Sequence, residues 1–343
     1  MRHPDRDAAP AAAAYAAAME RLSEDLALVE GAMREQLLSA SEVLSALGDH
    51  VLASGGKRMR PALLLLAAEL CGYTGPRRIH VAAAVELLHT ATLLHDDVVD
   101  LSELRRGRPS ANALWGNRRA VLGGDFLYAR ASSMIVEDGD LDILWIFANT
   151  IRSMAEGELL QLERSFDPSI TEAHYYAVIE RKSAVLLSAA CEAGSILGGV
   201  TRAERRRLAE YGRELGLAFQ LRDDALDYED READLGKRPY DDLREGKVTL
   251  PLLLALKRCT AAERDNVAAV LKAVAHAGSG DAAGEIDLAP AREAVERYRG
   301  VADTVRRAAE HADRAVAAIA PFSDERAKRD LLEAAAFAVA RDR

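Results

Sequence analysis

Two stretches of this chain, "LLHDDVVD" (Leu93–Asp100) and "QLRDDALD" (Gln220–Asp227), set aspartates at the same DDxxD spacing directly after apolar residues. On a helix, residues four apart share a face. Asp96 and Asp100 therefore point one way with Asp97 to one side, and Asp223, Asp224 and Asp227 repeat the arrangement. Three carboxylates on one face repel unless positive charge sits between them. A solvated acidic face is the plain alternative for either motif alone. The residues before the first motif, "VAAAVELLHTATLLH", are too apolar for that. Aspartate is 27 of 343 residues, so chance gives about 0.2 such motifs in a chain of this length, and a pair roughly once in a hundred chains. The pair constrains the fold. It suggests that two apolar helices, over a hundred residues apart, turn their acidic faces into one cavity, where divalent metal is the natural counter-charge. Mg²⁺ takes oxygen ligands and usually binds through one or two carboxylates plus substrate phosphates.

The rest of the chain reads as helix. It is 49% hydrophobic with only 5% aromatics. Alanine and leucine, both strong helix formers, dominate, and Val/Ile/Thr runs of strand length are scarce. The expectation is an all-α fold, one large helical domain over 1–343 with a central apolar cavity. An N-terminal helix is expected within 1–35 and a flexible loop, "HAGSGDAAGE", within 276–289. "GYTGP" (Gly72–Pro76) and "DGDLD" around Gly139 read as helix stops. Capping boxes are expected at Ser169/Glu172, Thr201/Glu204 and Thr260/Glu263.

Several function classes are excluded. The net charge of −10 argues against nucleic acid as a partner, because phosphate-backbone binding needs a basic face. The three cysteines, Cys71, Cys191 and Cys259, are widely separated and suggest neither zinc nor a disulfide framework. No uncharged apolar run approaches the ~20 residues of a membrane span. The N-terminus lacks the cationic start of a secretory signal, so a cytoplasmic location is expected. Gly56-Lys57, Gly236-Lys237 and Gly246-Lys247 lack the rest of a P-loop, and HExxH and GxSxG are absent.

Basic residues fall in clusters around the acidic motifs: Lys57, Arg58 and Arg60; Arg105 and Arg106; Arg181 and Lys182; Lys237 and Lys247. Each cluster alone reads as surface charge. Beside two metal sites they suggest diphosphate recognition, with arginine giving forked contacts and lysine a point charge. His89 lies two helical turns before Asp96 on the same stripe. Metal, diphosphate-sized basic pockets and an oily interior without a side-chain nucleophile suit ionisation of an allylic diphosphate. Metals and cations would stabilise the departing diphosphate, and apolar walls would keep water from the carbocation.

The ordered motifs "GGKRMRP", "HTATLLHDDVVD", "RRGRPSAN", "GDFLYARA", "AEGELLQL", "RKSAVL", "FQLRDDALDY" and "DLREGKVTLPLL" resemble the trans-isoprenyl diphosphate synthases, and within them the long-chain polyprenyl type that includes the octaprenyl synthases. The resemblance implies an all-α prenyltransferase, a homodimer, and Mg²⁺ as cofactor at about three ions per active site. It implies that Lys57, Arg60, His89 and Arg106 hold isopentenyl diphosphate. It implies that Arg105, Lys182, Ser183, Gln220, Lys237 and Lys247 hold the allylic diphosphate. Asp96, Asp100 and Asp223 would carry the metals, with Asp97, Asp224 and Asp227 lining the same catalytic site, and the released diphosphate would remove the final proton. The chain departs from the pattern at Ser183, where threonine is common, and at Pro239 and Tyr240, where many relatives have smaller residues.

In this family, bulky residues just before the first acidic motif cap the product tunnel. Here Ala91 and Thr92 stand there, with Leu88 and Leu87 deeper, so a farnesyl product is not expected. Met134, Ile135 and Phe147 are the candidate floor. The implied product is an octaprenyl to decaprenyl diphosphate, made from farnesyl diphosphate and destined for a quinone side chain. Two rivals remain. A class I terpene cyclase would not need "GGKRMRP" or a second DDxxD. A non-catalytic subunit of a heteromeric synthase would be expected to have lost an acidic motif or several basic residues.

Overall fold

Alanine- and leucine-rich runs form helices along the chain, as composition predicts. The computed structural model describes residues 8–38, 41–53, 56–105, 107–229, 240–277, 286–323 and 325–341. The first half comprises α1 (Ala8–Arg21), α2 (Ser23–Gln36), α3 (Glu42–Ala53), α4 (Met59–Leu70), α5 (Arg77–Val99), α6 (Ala111–Trp115), α7 (Asn117–Asp138) and α8 (Leu141–Glu163). Next come α9 (Glu172–Ile179), a π-helical segment Glu180–Ala184, α10 (Val185–Leu197) and α11 (Arg202–Leu226). The last part comprises α12 (Asp241–Arg244), α13 (Leu250–Leu256), α14 (Ala261–Ala277), α15 (Ala289–Arg297), α16 (Gly300–Ile319) and α17 (Glu325–Ala340). Among the described residues, strand is confined to a two-residue antiparallel ribbon, β1 (Leu104–Arg105) and β2 (Arg108–Pro109). Both strands fall within "RRGRPSAN" or beside it, where the sequence pattern predicts a loop.

The long helices pack in a row. α5 lies along α7, α10 lies between α4 and α11, and α11 lies along α16. Glycine at the crossings permits the close approach. A Cβ on Gly194 of α10 would sit 2.4 Å from the Leu64 carbonyl of α4. A Cβ on Gly212 of α11 would sit 2.4 Å from the Leu187 carbonyl of α10. Neither backbone can give way as a flexible side chain could, so α10 is held tightly between its neighbours.

Two apolar clusters result, and α11 serves both. Leu208, Tyr211 and Leu215 belong to the cluster built from α1–α8, α10, α16 and α17. Leu217 and Leu221 belong to the one built from α9 and α12–α16. The second acidic motif closes α11, with Asp223 and Asp224 in its last turn and Asp227 as its C-cap.

Two sequence expectations change locally. The N-terminal helix breaks at buried Leu22 (φ −89°, ψ 1°), because Ser23-Glu24-Asp25 starts a new helix with an acidic first turn. Thr201/Glu204 forms its capping box, and Thr260/Glu263 makes the same reciprocal bonds. Ser169/Glu172 does not. Thr171 caps α9 by accepting from the His174 N–H, Ser169 bonds to Asp167, and Glu172 is drawn to Lys257 and Arg307. Most of the expected loop, 278–285, lies outside the described residues, between α14 and α15.

One buried carboxylate ties α11 to α16. Glu214 is 2% exposed and receives His311 Nδ1 at 2.6 Å and Arg314 Nε at 2.9 Å, with Arg213 on its other oxygen. Burial alone would raise its pKa, but these bonds win and pull it from 4.5 down to about 2. A carboxylate depressed in the fold contributes stability that is present above its unfolded value and lost as pH falls through the folded one. Glu214→Gln should therefore be less stable than the parent at neutral pH, with the difference shrinking from about pH 4.5 down to about pH 2, read as melting temperature against pH.

Candidate active site

Lys247, which follows the second acidic motif in the chain, links to the first motif through Asp100. The first motif ends α5: Asp96 and Asp97 lie in the last turn and Asp100 is the C-cap. Opposite it, the backbone of α9 widens into the π segment Glu180–Ala184, which carries Lys182 and Ser183. Such π turns occur mostly as single turns at functional sites. Glycines seat this one from both sides. A Cβ on Gly157 of α8 would lie 2.8 Å from the Lys182 nitrogen, and one on Gly216 of α11 would lie 2.6 Å from Ala184 Cα.

Five of the six motif aspartates are met by a cation or a hydrogen-bond donor. Arg105, on the ribbon, donates Nε to Asp97 Oδ1 at 2.6 Å. Lys247 reaches back from beyond the second motif to Asp100 at 3.2 Å and to Glu245 at 2.5 Å. Lys182 pairs with Glu158 of α8 at 2.5 Å. Asp223 pairs with Arg341. Asp224, 2% exposed, accepts from the Tyr175 hydroxyl and from Gln220 Nε2 at 2.8 Å, while Ser183 Oγ donates to Gln220 Oε1 at 2.9 Å. Asp227 differs from these in binding main chain. It accepts the backbone N–H groups of Asp241 and Asp242 at 3.1 and 3.3 Å, fixing the start of α12.

The compensation is incomplete. Burial, with the Glu158 and Asp100 charges added, pushes Asp96 up to about 6 against the opposing pull of Lys182 and Arg105. Burial also raises Asp97 despite Arg105. Asp224 is pushed up by burial and by the Asp242 charge. Burial would lower Lys247, but Glu245, Asp242 and Asp100 raise it further. Among the described residues, no three carboxylate, imidazole or thiolate groups stand close enough to share an ion. The donor chemistry nevertheless fits a hard divalent cation: all-oxygen ligands around Asp96, with more negative charge than the local lysine and arginine offset.

Two cavities flank this centre. The larger, about 150 Å³, is lined by Lys182, Ser183, Gln220, Asp224 and Lys247, with Tyr175 at its wall. The smaller, about 50 Å³, is lined by Asp97, His89, Arg58, Glu86, Arg105 and His50. Thus Lys182, Ser183, Gln220 and Lys247 come together as one group. His89 joins Arg105 instead of Lys57. The Lys57 ammonium is exposed and sits 5.2 Å from the Phe337 ring centroid, while Arg60 is in the first turn of α4. Arg58 turns inward to Glu86 at 3.1 Å and Glu30 at 2.9 Å, and Arg181 donates to the Ala177 carbonyl of its own helix. Arg106 and Lys237 lie outside the described residues.

The tunnel candidates Leu87, Leu88, Ala91, Met134, Ile135 and Phe147 are all buried in the first apolar cluster, on α5, α7 and α8. Thr92 is half-buried and donates its hydroxyl to the His89 carbonyl at 2.8 Å. Sequence patterns do not mark Glu158, Tyr175, Asp242 and Arg341 as neighbours of the acidic motifs. Only Glu158 carries a signal, as a carboxylate directly after Gly157 in "AEGELLQL".

The comparisons with known proteins agree with one another. A polyprenyl synthetase family model matches residues 41–283. The octaprenyl diphosphate synthase of Escherichia coli (strain K12) is 43% identical over 94% of this chain and 98% of its own length. A polyprenyl synthase from Caulobacter crescentus CB15, solved with calcium and isoprenyl diphosphate, superposes with a TM-score of 0.88 at 42% identity, covering 96% of this chain and 98% of that one. A decaprenyl diphosphate synthase from Rhodobacter capsulatus superposes with a TM-score of 0.86 at 39% identity, covering 96% and 99%.

The raised Asp96 has a measurable consequence. A carboxyl lifted from 3.8 to about 6 stabilises the fold below 3.8 and loses that contribution as pH rises through about 6. In the presence of a chelator, Asp96→Asn should melt higher than the parent at about pH 7.5, and the gain should disappear by about pH 4. Equal melting temperatures at the higher pH would mean that Asp96 is already compensated by its neighbours.

Proposed function

The chain belongs to the polyprenyl synthetase family and is a prenyltransferase, and from that premise we propose that it elongates an allylic diphosphate, farnesyl diphosphate first, by successive condensation with isopentenyl diphosphate. The product is a long-chain all-trans-polyprenyl diphosphate, octaprenyl to decaprenyl, for a quinone side chain. The observation that carries this reading is the Lys247–Asp100 ion pair, which joins the segment after the second acidic motif to the first motif. Long-chain relatives on both the sequence and the structure side support the product class.

Asp96, Asp100 and Asp223 would hold Mg²⁺, which when bound withdraws electrons from the leaving diphosphate and stabilises its charge. The other steps fall to the chain's own groups. Lys182 and Lys247 exchange Glu158 and Asp100 for the allylic diphosphate and hold it as it leaves. Ser183 and Gln220, already bonded to each other, orient that headgroup together with Arg105 and Lys237. Lys57, Arg60, His89 and Arg106 hold isopentenyl diphosphate. The apolar walls behind Ala91 keep water from the cation, and the small side chain lets the product pass toward Met134, Ile135 and Phe147. The released diphosphate takes the final proton. A terpene cyclase would leave the second basic pocket around His89 without a purpose.

A homodimer and a cytoplasmic place are part of the same proposal. Among the described residues, no helix is long and apolar enough to cross a membrane. α8 carries an exposed stripe of Leu141, Trp145, Ala148, Ala155 and Leu159, with Trp145 68% exposed, beside exposed Val121, Tyr128 and Val136 on α7. Large exposed apolar faces mark association sites, and a second copy offers the matching face. Trp145→Glu should sediment as a monomer where the parent sediments as a dimer; identical sedimentation would move the interface elsewhere.

Incubation with Mg²⁺, farnesyl diphosphate and labelled isopentenyl diphosphate should give a ladder ending at octaprenyl to decaprenyl diphosphate. Asp96→Ala or Asp223→Ala should abolish it while retaining the helical circular dichroism, and Ala91→Phe should end it early. No incorporation by the folded parent would overturn the proposal. A near-normal rate in either aspartate variant would remove that residue from the ion site.

A further inference from the structure

The residue that follows α17 is built into the second acidic motif. Arg341 comes directly after Ala340 and is 4% exposed. Its guanidinium carbon lies 3.5 Å from the Phe219 ring centroid, its Nη2 donates to the Phe219 carbonyl at 2.9 Å, and the same group pairs with Asp223 Oδ1. Its own carbonyl accepts Arg222 Nε at 3.0 Å, and Arg222 donates in turn to Glu229 at 2.7 Å. Phe219, Arg222 and Asp223, all on α11, thus grip one residue through its side chain and its backbone.

The pair is lopsided. The cation side chain is 4% exposed, whereas Asp223 is 44% exposed. A surface ion pair would leave both partners in water. Here the guanidinium is fixed beneath the carboxylate and the carboxylate faces outward, where an ion would approach. Among the described residues, the other cations paired at these acidic groups, Arg105, Lys182 and Lys247, have a diphosphate to bind in the proposed reaction. Arg341 has none, so its charge acts on Asp223 itself.

We propose that Arg341 is a resident counter-charge that competes with the divalent ion for Asp223, an inference that rests on the reading of Asp223 as an ion ligand. Two cations against one carboxylate disfavour each other. A guanidinium cannot shed its proton to relieve the conflict. The relief left is weaker ion binding, until a diphosphate brings enough negative charge for both cations. Arg341 therefore makes ion loading at the second motif depend on the diphosphate.

Mn²⁺, an oxygen-seeking probe countable by its electron spin resonance signal, tests this by direct binding. Arg341→Gln should bind Mn²⁺ about five- to tenfold more tightly than the parent without diphosphate, and the gap should narrow when inorganic diphosphate is added. Arg341→Lys, which keeps the charge, should bind like the parent. Arg341→Met keeps the packing on Phe219 and serves in place of the glutamine variant if that one does not fold. Unchanged or weaker binding in the uncharged variants overturns the competition and leaves Arg341 as a structural clamp. Parent-like Mn²⁺ affinity in Asp223→Asn would instead remove the premise that Asp223 is an ion ligand.

Discussion

Carboxylates set into apolar helices are costly unless something answers their charge, and the answer here comes from distant parts of the chain. Arg105 is nearby on the ribbon, but Lys182 comes from the π segment, Lys247 from beyond the second motif and Arg341 from the far end of α17. Burying a charge without a partner carries a penalty of several kcal/mol. The acidic motifs therefore act as the points around which α5, α8, α11 and α17 are organised. Because the compensation stops short at Asp96, the same arrangement that holds the fold together leaves demand for more positive charge.

That demand has use only if the helices meet closely enough to share it. Glycines set the distance. Gly157, Gly194, Gly212 and Gly216 let backbones approach until a single added methyl would collide with main-chain atoms. Side chains as short as Ser183 and Gln220 then span from the π segment to Asp224 without bridging water. The site's hydrogen-bond chain, Tyr175 to Asp224 to Gln220 to Ser183, is a product of that packing.

Much of this is legible in the residues. The all-α class follows from alanine and leucine, and the helical setting of both DDxxD motifs from the apolar residues before them. Helix ends governed by local chemistry, such as Thr201/Glu204, read correctly. Ser169/Glu172 has the same letters and fails, because Lys257 and Arg307, far away in sequence, take Glu172. The basic clusters are harder. Nothing in "GGKRMRP" tells that Arg58 turns inward to a buried glutamate, since Glu86 and Glu30 reach it only through folding. Arg341 and Tyr175 are silent for the same reason: their importance lies in what they touch.

The π segment also sets the phase of the chain. An α-helix turns about 100° per residue, and a π turn holds one residue more than an α turn. α9 and α10 are therefore rotationally out of step, though the chain runs between them without a break. Tyr175 on α9 can face Asp224 while Gly194 on α10 faces α4. Deleting one residue between 180 and 184 would bring the two helices into step, so that either the tyrosine or the glycine could find its partner, but not both. The segment is thus a length standard: its five residues cannot become four or six while both contacts persist.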